Sequence, residues 1–338
     1  METLMKAAAI SQWGGADVFE LTRLPVPALE ADDILIKVAY AGVNPADWKM
    51  RAGHLKSQLP DINPLVLGLD ASGVVVATGA EATEFSPGDR VVSGSNLFSA
   101  GKPGAYAQYL VVNKNKAARV PDSISLESAA TLPIAGITAW QSLFAEGKGT
   151  LQPDGQMKVL INGASGGVGS IAVQLAKWAK AEVATTCSST NLAYVETLGA
   201  DELIDYKNQD INEAVKRWAP QGLDLILDTV SAGSLKDPFA LLKPGGKLVS
   251  IATLTHDGDV QADIAEAQAR GVNKILAFVD DSRMGEELGQ LLELMAAGKL
   301  KPPATQVFEL EQVKQAHQKL ETGHVRGKLL LRLSGEQI

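Results

Sequence analysis

The stretch Val159-Leu160-Ile161-Asn162-Gly163-Ala164-Ser165-Gly166-Gly167-Val168-Gly169-Ser170 constrains this chain more than any other. An apolar run hands over through glycines to a stretch with helical spacing. In that context a glycine-rich turn reads as a phosphate-binding signature rather than an ordinary bend. Gly166 lets the backbone approach a pyrophosphate, and Gly169 lets the helix pack on the strand. The helix start offers N–H groups to the phosphates. Contacts with a dinucleotide are therefore expected from Ala164, Ser165, Gly166, Gly167, Val168 and Gly169. Ala164 replaces the first glycine of the usual GxGxxG, and Gly163 beside it softens that departure.

The surrounding rhythm supports the motif. A helical stretch over 128–145 leads to a strand at 158–162, a helix at 169–180 and a strand at 182–186. Then come a helix at 191–198, strand 202–205, helix 212–218, strand 223–228, helix 234–242, strand 246–251 and a last strand at 274–279. Short apolar strands alternating with helices predict a parallel sheet covered on both faces. Six of them make a doubly wound Rossmann domain. The first ~125 residues differ in texture: short strands at 7–10, 34–41, 72–77, 90–93 and 105–112 are punctuated by Pro, Gly, Asp and Asn. One early helix, 45–51, follows Asn44. A final helix at 286–297 and the segment 312–333 read as a return to the first domain. The expected organisation is α/β, with a mostly β domain over 1–127 and 283–338 and an inserted dinucleotide domain over 128–282.

Composition narrows the partners. At 338 residues, with ~150 per domain, about two domains are expected. Lys plus Arg number 31 against 39 Asp plus Glu, so the net charge is −8; nucleic acid and anionic membranes, which need a basic footprint, are disfavoured. The single Cys187 allows no intrachain disulfide and no thiolate-rich zinc site, and the four His show no metal-ligand spacing. No signal-peptide pattern or run of 18 apolar residues is seen, which sets a cytoplasmic expectation.

The nature of the dinucleotide is read from the second strand of the Rossmann pattern. A site for NAD usually places an acid ~20 residues after the glycines to hold the ribose 2′-OH. Here the strand runs into Cys187-Ser188-Ser189-Thr190-Asn191, with no acid. The absence of a carboxylate favours NADPH, with Ser188, Ser189 and Tyr206 as donors to the 2′-phosphate. Ser188 can also cap the following helix.

Several segments resemble the medium-chain dehydrogenase/reductase superfamily in its zinc-free quinone oxidoreductase branch. They are the stretch from Ala41-Gly42-Val43-Asn44-Pro45 to Arg51, Gly68-Leu69-Asp70-Ala71-Ser72-Gly73, Pro87-Gly88-Asp89-Arg90-Val91, Gly104-Ala105-Tyr106-Ala107-Gln108-Tyr109, the stretch from Leu132-Pro133 to Trp140, and Gly323-His324-Val325-Arg326-Gly327-Lys328-Leu329-Leu330. The resemblance covers essentially the whole chain. It implies a GroES-like catalytic domain, a cleft beside the Rossmann domain, and a homodimer or tetramer joined through the last Rossmann strand. Zinc-dependent cousins carry a ligand Cys where this chain has Asn44, and Gly-His-Glu where it has Gly68-Leu69-Asp70, so the resemblance implies no metal.

Without a Lewis acid, alcohol oxidation is disfavoured. Hydride addition to a quinone or an α,β-unsaturated carbonyl is easier, because the charge spreads onto an oxygen that one or two hydrogen-bond donors can stabilise. The family places Asn44 facing the nicotinamide; its alternative role is the N-cap before Pro45. Lys49 matches a position where some relatives carry Tyr and others Lys; its alternative is a solvated helix face. The resemblance further puts Thr138 near the nicotinamide and phosphates, uses backbone groups at Phe278 and Val279 for the carboxamide, and lets Arg326 or Lys328 reach the cofactor, with surface charges as the alternative for those two. The side chains of Phe278 and Val279 alternatively belong to the core. A basic residue common in the family beside the 2′-phosphate is Thr190 here. Cys187 reads as a small core residue, Asp70 as a structural acceptor, and His54 as a solvated loop residue whose alternative is a proton donor near the presumed cleft, while His317 and His324 carry no specific signal. The loops 51–63, 95–103 and 253–262 are expected to shape the substrate pocket. The reading is an NADPH-dependent reductase of small-molecule quinones or enones. An enoyl-thioester or carbonyl reductase on the same scaffold, or a non-catalytic NADPH-binding protein, are its alternatives.

Overall fold

The computed structural model describes residues 4–59, 64–100, 102–152, 155–231, 233–251 and 260–335. In chain order it begins with β1 (Leu4–Ile10), β2 (Phe19–Pro25), β3 (Asp33–Val43), α1 (Pro45–Arg51), β4 (Leu65–Val66), β5 (Asp70–Thr78) and β6 (Arg90–Gly94). There follow α2 (Leu97–Ala100), β7 (Tyr109–Asn113), β8 (Ala117–Arg119), α3 (Leu126–Ala129) and α4 (Pro133–Phe144). The alternating region comprises β9 (Lys158–Asn162), α5 (Gly167–Trp178), β10 (Glu182–Cys187), α6 (Leu192–Glu196), β11 (Glu202–Asp205), α7 (Ile211–Trp218), β12 (Leu223–Asp228), β13 (Leu242–Ile251), α8 (Val260–Ala269) and β14 (Asn273–Ala277). The tail adds α9 (Met284–Ala296), β15 (Thr305–Glu309), α10 (Val313–Glu321) and β16 (Lys328–Arg332).

Two compact units result. One comprises 1–137, 280–298 and 302–338; the other comprises 138–279 with 299–301. The sequence placed these borders at 127/128 and 282/283. Among the described residues, the second unit holds a six-stranded sheet in the order β11-β10-β9-β12-β13-β14, every pairing parallel. The order reverses beside β9, the switch point at which doubly wound folds bind ligands at the carboxyl ends of their strands. Leu225, Ile226 and Leu227 of β12 are fully buried, as expected for strands covered on both faces. Among the described residues, the first unit holds a three-stranded sheet, β2-β1-β4, and a largely antiparallel seven-stranded one.

Local chemistry explains where these elements depart from the expectations. The helix expected at 234–242 is only a 3₁₀ turn, Pro238–Leu241, because Asp237 adopts φ +42° before Pro238; a residue preceding proline is disfavoured in the α region. The stretch 128–145 divides into α3 and α4, the second opening on Pro133. The strand expected at 105–112 begins at Tyr109, since the N–H groups of Ala105 and Tyr106 donate to Gly68 and Leu67. The edge strand β2, with its mostly exposed polar alternation, escaped the sequence reading, as did α8 and β15. Parts of the three proposed pocket loops, 60–63, 101 and 253–259, lie outside the described residues, as does His256.

Candidate functional site

In the second unit the glycine-rich turn is built as a cradle. Gly163 ends β9 with φ +89°, and a Cβ there would lie 2.7 Å from Val230 and 2.8 Å from Thr229. It thus takes the tight-turn role that the sequence had in doubt, while the buried Ala164 donates its N–H to the Thr186 carbonyl. A Cβ on Gly169 would overlap the Gly163 carbonyl, so only glycine lets α5 lie this close to the turn. Gly166, the N-cap of α5, has open space instead: a Cβ would meet only the Gly163 carbonyl at 3.6 Å. Ser165, Gly166, Gly167 and Val168 are half-buried, and the first N–H groups of α5 have no acceptor within the helix. These residues fit the pyrophosphate of a dinucleotide.

A buried polar network underpins the cradle. The Thr186 hydroxyl accepts from Gly163 N–H at 2.9 Å and donates to Asn162 Oδ1 at 2.6 Å. Asn162 Nδ2 donates to Asp228 Oδ1 at 2.8 Å and to Ser234 Oγ at 2.9 Å. Burial pushes the Asp228 carboxyl above its ordinary range, against hydrogen bonds from Val230 N–H, Asn162 and Ser234. The sequence reading missed Asn162, Thr186 and Asp228. A signal existed: Asn162 and Asp228 are polar residues closing apolar strands, and they pair in register.

Beyond β10, Ser188 Oγ lies 3.0 Å from Thr190 Oγ1 and accepts from Asn191 Nδ2 at 3.2 Å. The Ser189 hydroxyl proton goes to Asp205 Oδ2 at 2.6 Å. That bond, first among several, holds the Asp205 carboxyl below the usual carboxylate range. Tyr206 is exposed, and its N–H donates to the Cys187 carbonyl at 3.2 Å. Cys187 is buried, and burial pushes its thiol up. Thr138, in α4, is 8% exposed. Phe278 follows β14 with its side chain 59% exposed, which overturns the core alternative; its carbonyl accepts from Lys148 Nζ at 2.8 Å. Val279 is half-buried.

The first unit holds a closed polar cluster. Asn44 occupies the N-cap of α1, whose first turn opens with Pro45, and its N–H donates to the Asp47 carboxylate at 2.8 Å. Its amide side chain turns elsewhere. Nδ2 donates to Asp70 Oδ2 at 2.9 Å, and Oδ1 accepts from Lys328 Nζ at 2.5 Å. Lys328 Nζ also donates to Asp70 Oδ2 at 2.8 Å. All three side chains are buried, so Lys328 is an internal counter-ion, not a surface charge. Asp47 is fully buried; burial and the neighbouring Asp70 raise its carboxyl to about 7, against the Asn44 N–H bond. His317, read as uninformative, is buried too. Its Nδ1 lies 3.2 Å from Arg51 Nη1 and its Nε2 3.3 Å from the Tyr106 hydroxyl. Arginine can only donate, so Nδ1 is the acceptor and Nε2 carries the proton. Burial and the Arg51 charge hold the imidazole down at about 3. Lys49 is 9% exposed, with its ammonium 5.6 Å from the Trp48 ring centroid, not on a solvated face. Arg326 is exposed between α10 and β16.

Comparison with known proteins agrees with the fold. An alcohol dehydrogenase GroES-like domain matches 30–122, and a zinc-binding dehydrogenase domain matches 198–331. The chloroplastic quinone-oxidoreductase QR1 of Triphysaria versicolor is 33% identical over 334 residues, 97% of this chain and 98% of that protein. The chain belongs to the quinone oxidoreductase branch of the medium-chain dehydrogenase/reductase superfamily. The mitochondrial NAD(P)H oxidoreductase RTN4IP1 of Danio rerio is 32% identical, covering 99% of this chain and 93% of its own. The solved quinone oxidoreductase from Coxiella burnetii superposes with a TM-score of 0.83 at 32% identity, over 98% of this chain and 99% of the other. This member of the branch is thus an oxidoreductase using a nicotinamide cofactor.

One description in the branch's wider superfamily, zinc-binding, does not suit the residues present. Asn44 Oδ1 and Asp70 already bind the Lys328 ammonium, and Leu69 offers no donor atom. A buried cation on the same oxygens repels a second one. No cluster of three His, Cys, Asp or Glu suited to a metal occurs among the described residues. Nor is any described helix long and apolar enough to cross a membrane.

Proposed function

We propose that this oxidoreductase is zinc-independent and uses NADPH to reduce quinones or the C=C bond of α,β-unsaturated carbonyls. The observation that carries the reading is the Lys328 ammonium, lodged between Asn44 and Asp70 where a metal would need those oxygens. A site lacking a Lewis acid favours substrates that are already electrophilic. NADPH, when bound, supplies the hydride. The chain's own residues bind and orient: the α5 terminus holds the pyrophosphate, Gly163 and Gly169 fix the turn, and Thr138 and the backbone at Phe278 and Val279 serve the nicotinamide end. The acid-free end of β10, with Ser188 and the exposed Tyr206, supports NADPH over NADH. Asn44 spends one amide hydrogen on Asp70; the second, together with the Lys49 ammonium, serves as donor to the substrate oxygen as charge develops there. Arg326 is assigned to the cofactor's outer contacts. The edge position of β14 and its half-buried side chains support pairing with a second copy into a homodimer. A cytoplasmic location is our reading, and the lone Cys187 is in keeping with any reducing compartment.

The test is optical: NADPH and NADH consumption with 1,4-benzoquinone, 9,10-phenanthrenequinone, methyl vinyl ketone, 2-hexenal and crotonyl-CoA, with product analysis. The expected result is NADPH oxidation by quinones or enones that survives exhaustive dialysis against a chelator. Loss of activity on dialysis with recovery on zinc, or no turnover of any quinone or enone, would overturn the reading.

A further inference from the structure

Residues 187–191, at the corner beyond β10, carry no basic side chain to meet a 2′-phosphate. Their hydroxyl groups do not replace that charge. Ser189 gives its proton to Asp205, and a dianionic phosphate beside the Asp205 carboxylate needs a cation to offset both. Within 187–191 and 205–209 the sequence offers one base, Lys207.

We propose that Lys207 is the cation that selects NADPH over NADH, held in place by the ring of Tyr206. This inference rests on the NADPH reading above. Three features place Lys207 at that corner. Tyr206 N–H donates to the Cys187 carbonyl at 3.2 Å, which ties the 206–208 turn to the end of β10. Asn208 Nδ2 donates to Ser189 Oγ at 3.1 Å and to Asp205 Oδ2 at 2.7 Å, closing the tie from the other side. The Lys207 ammonium lies 5.3 Å from the Tyr206 ring centroid, within the range in which a ring quadrupole attracts a cation.

The electrostatics explain why this ammonium is available. Asp205 is only two residues away, yet its oxygens are occupied by the Ser189 hydroxyl, the Asn208 amide and the Lys207 N–H at 3.0 Å. Those bonds hold the carboxyl ionised and keep it as a strut for the turn. Among the described residues, Lys207 Nζ forms no ion pair, and its side chain is exposed. An exposed lysine normally contributes little. One held beside an aromatic ring, in the turn tied to the end of β10, gains a phosphate partner that NADH lacks.

The experiment measures dissociation constants for NADPH and NADH by cofactor fluorescence, at low and high salt, for the wild type, Lys207→Gln and the control Lys216→Gln, which makes the same charge change on α7. Losing a charge-assisted contact is expected to weaken NADPH about tenfold in Lys207→Gln, with NADH unchanged. The steeper salt dependence of NADPH should vanish in the same variant. Lys216→Gln should behave as wild type. A wild type that prefers NADPH and a Lys207→Gln variant with the same ratio would overturn the role of Lys207 alone. A wild type that binds NADH as tightly as NADPH would overturn the NADPH reading and this inference with it.

Discussion

The polar clusters of the two units solve opposite problems. Around Asn44, Asp70 and Lys328, each charge meets an opposite charge or a hydrogen-bond partner, and water is excluded. Around Gly163 to Gly169, the backbone is shaped so that N–H groups at the start of α5 face outward with no acceptor in the helix. The first arrangement spends all but one Asn44 amide hydrogen on holding the chain together; the second keeps its donors for a ligand. Even the network under the cradle follows this division, because Thr186, Asn162 and Asp228 satisfy one another while supporting Gly163. Stability and binding capacity are thus read from which donors are already committed.

The sharpest way to break the comparison is to open the closed cluster. Lys328→Met leaves Asp70 and Asn44 buried without their cation, and removing one partner of a buried pair costs about 3–5 kcal/mol. Denaturant unfolding should show that loss in the first unit, and a loss under 1 kcal/mol would show the pair to be dispensable. Filling the open cradle comes next. Gly169→Ala sets a methyl against the Gly163 carbonyl, so a cost of about 2–3 kcal/mol is expected from overpacking. NADPH affinity should fall with it, and calorimetric titration gives both the direction and the size.

A pH series sharpens the comparison within the closed cluster. Asp47 sits at about 7 when folded, against 3.8 as a free side chain. Between these values the folded state holds a proton that the unfolded state lacks, so stability falls as pH rises from about 4 to 7. His317 sits at about 3 against 6.5, so the unfolded state takes up the extra proton and stability falls as pH drops from 6.5 to about 3. Between pH 4 and 6.5 the two slopes oppose, and wild-type stability from this pair should be nearly flat. In His317→Gln only the Asp47 slope remains, about 1.4 kcal/mol lost per pH unit on the way up. Chemical denaturation at half-unit intervals reads this, and an unchanged flat profile would contradict the assignment. The smallest effect concerns the open corner: Ser188→Asp should shift the NADPH-to-NADH affinity ratio about tenfold toward NADH, a penalty of one charge repulsion at a partly exposed site. Paired titrations measure it.

Legibility in the sequence follows the same division. The cradle was readable because its elements are contiguous: the strand, Gly163, Gly166, Gly169 and the helix lie within a few residues of one another. The six parallel strands were readable from apolar runs at regular spacing. The closed cluster was not, since Asp70 and Lys328 lie 258 positions apart and Arg51 and His317 lie 266 apart. Burial of a charge depends on a partner that only tertiary structure supplies, so the sequence left Lys328 between a cofactor contact and a surface charge, and His317 without a specific signal. The Ser189–Asp205 bond was not legible for a related reason, as its acceptor lies on the neighbouring strand β11. Edge strand β2 failed for lack of an apolar run, exposing most of its polar alternation.

The claim that the open terminus of α5 is the cofactor's seat is tested most directly by amide hydrogen exchange, followed by mass spectrometry with and without NADPH. Slowed exchange is predicted in peptides spanning 163–170, 187–191 and 205–208 on adding NADPH. NADPH binding without any change in those peptides would contradict the account.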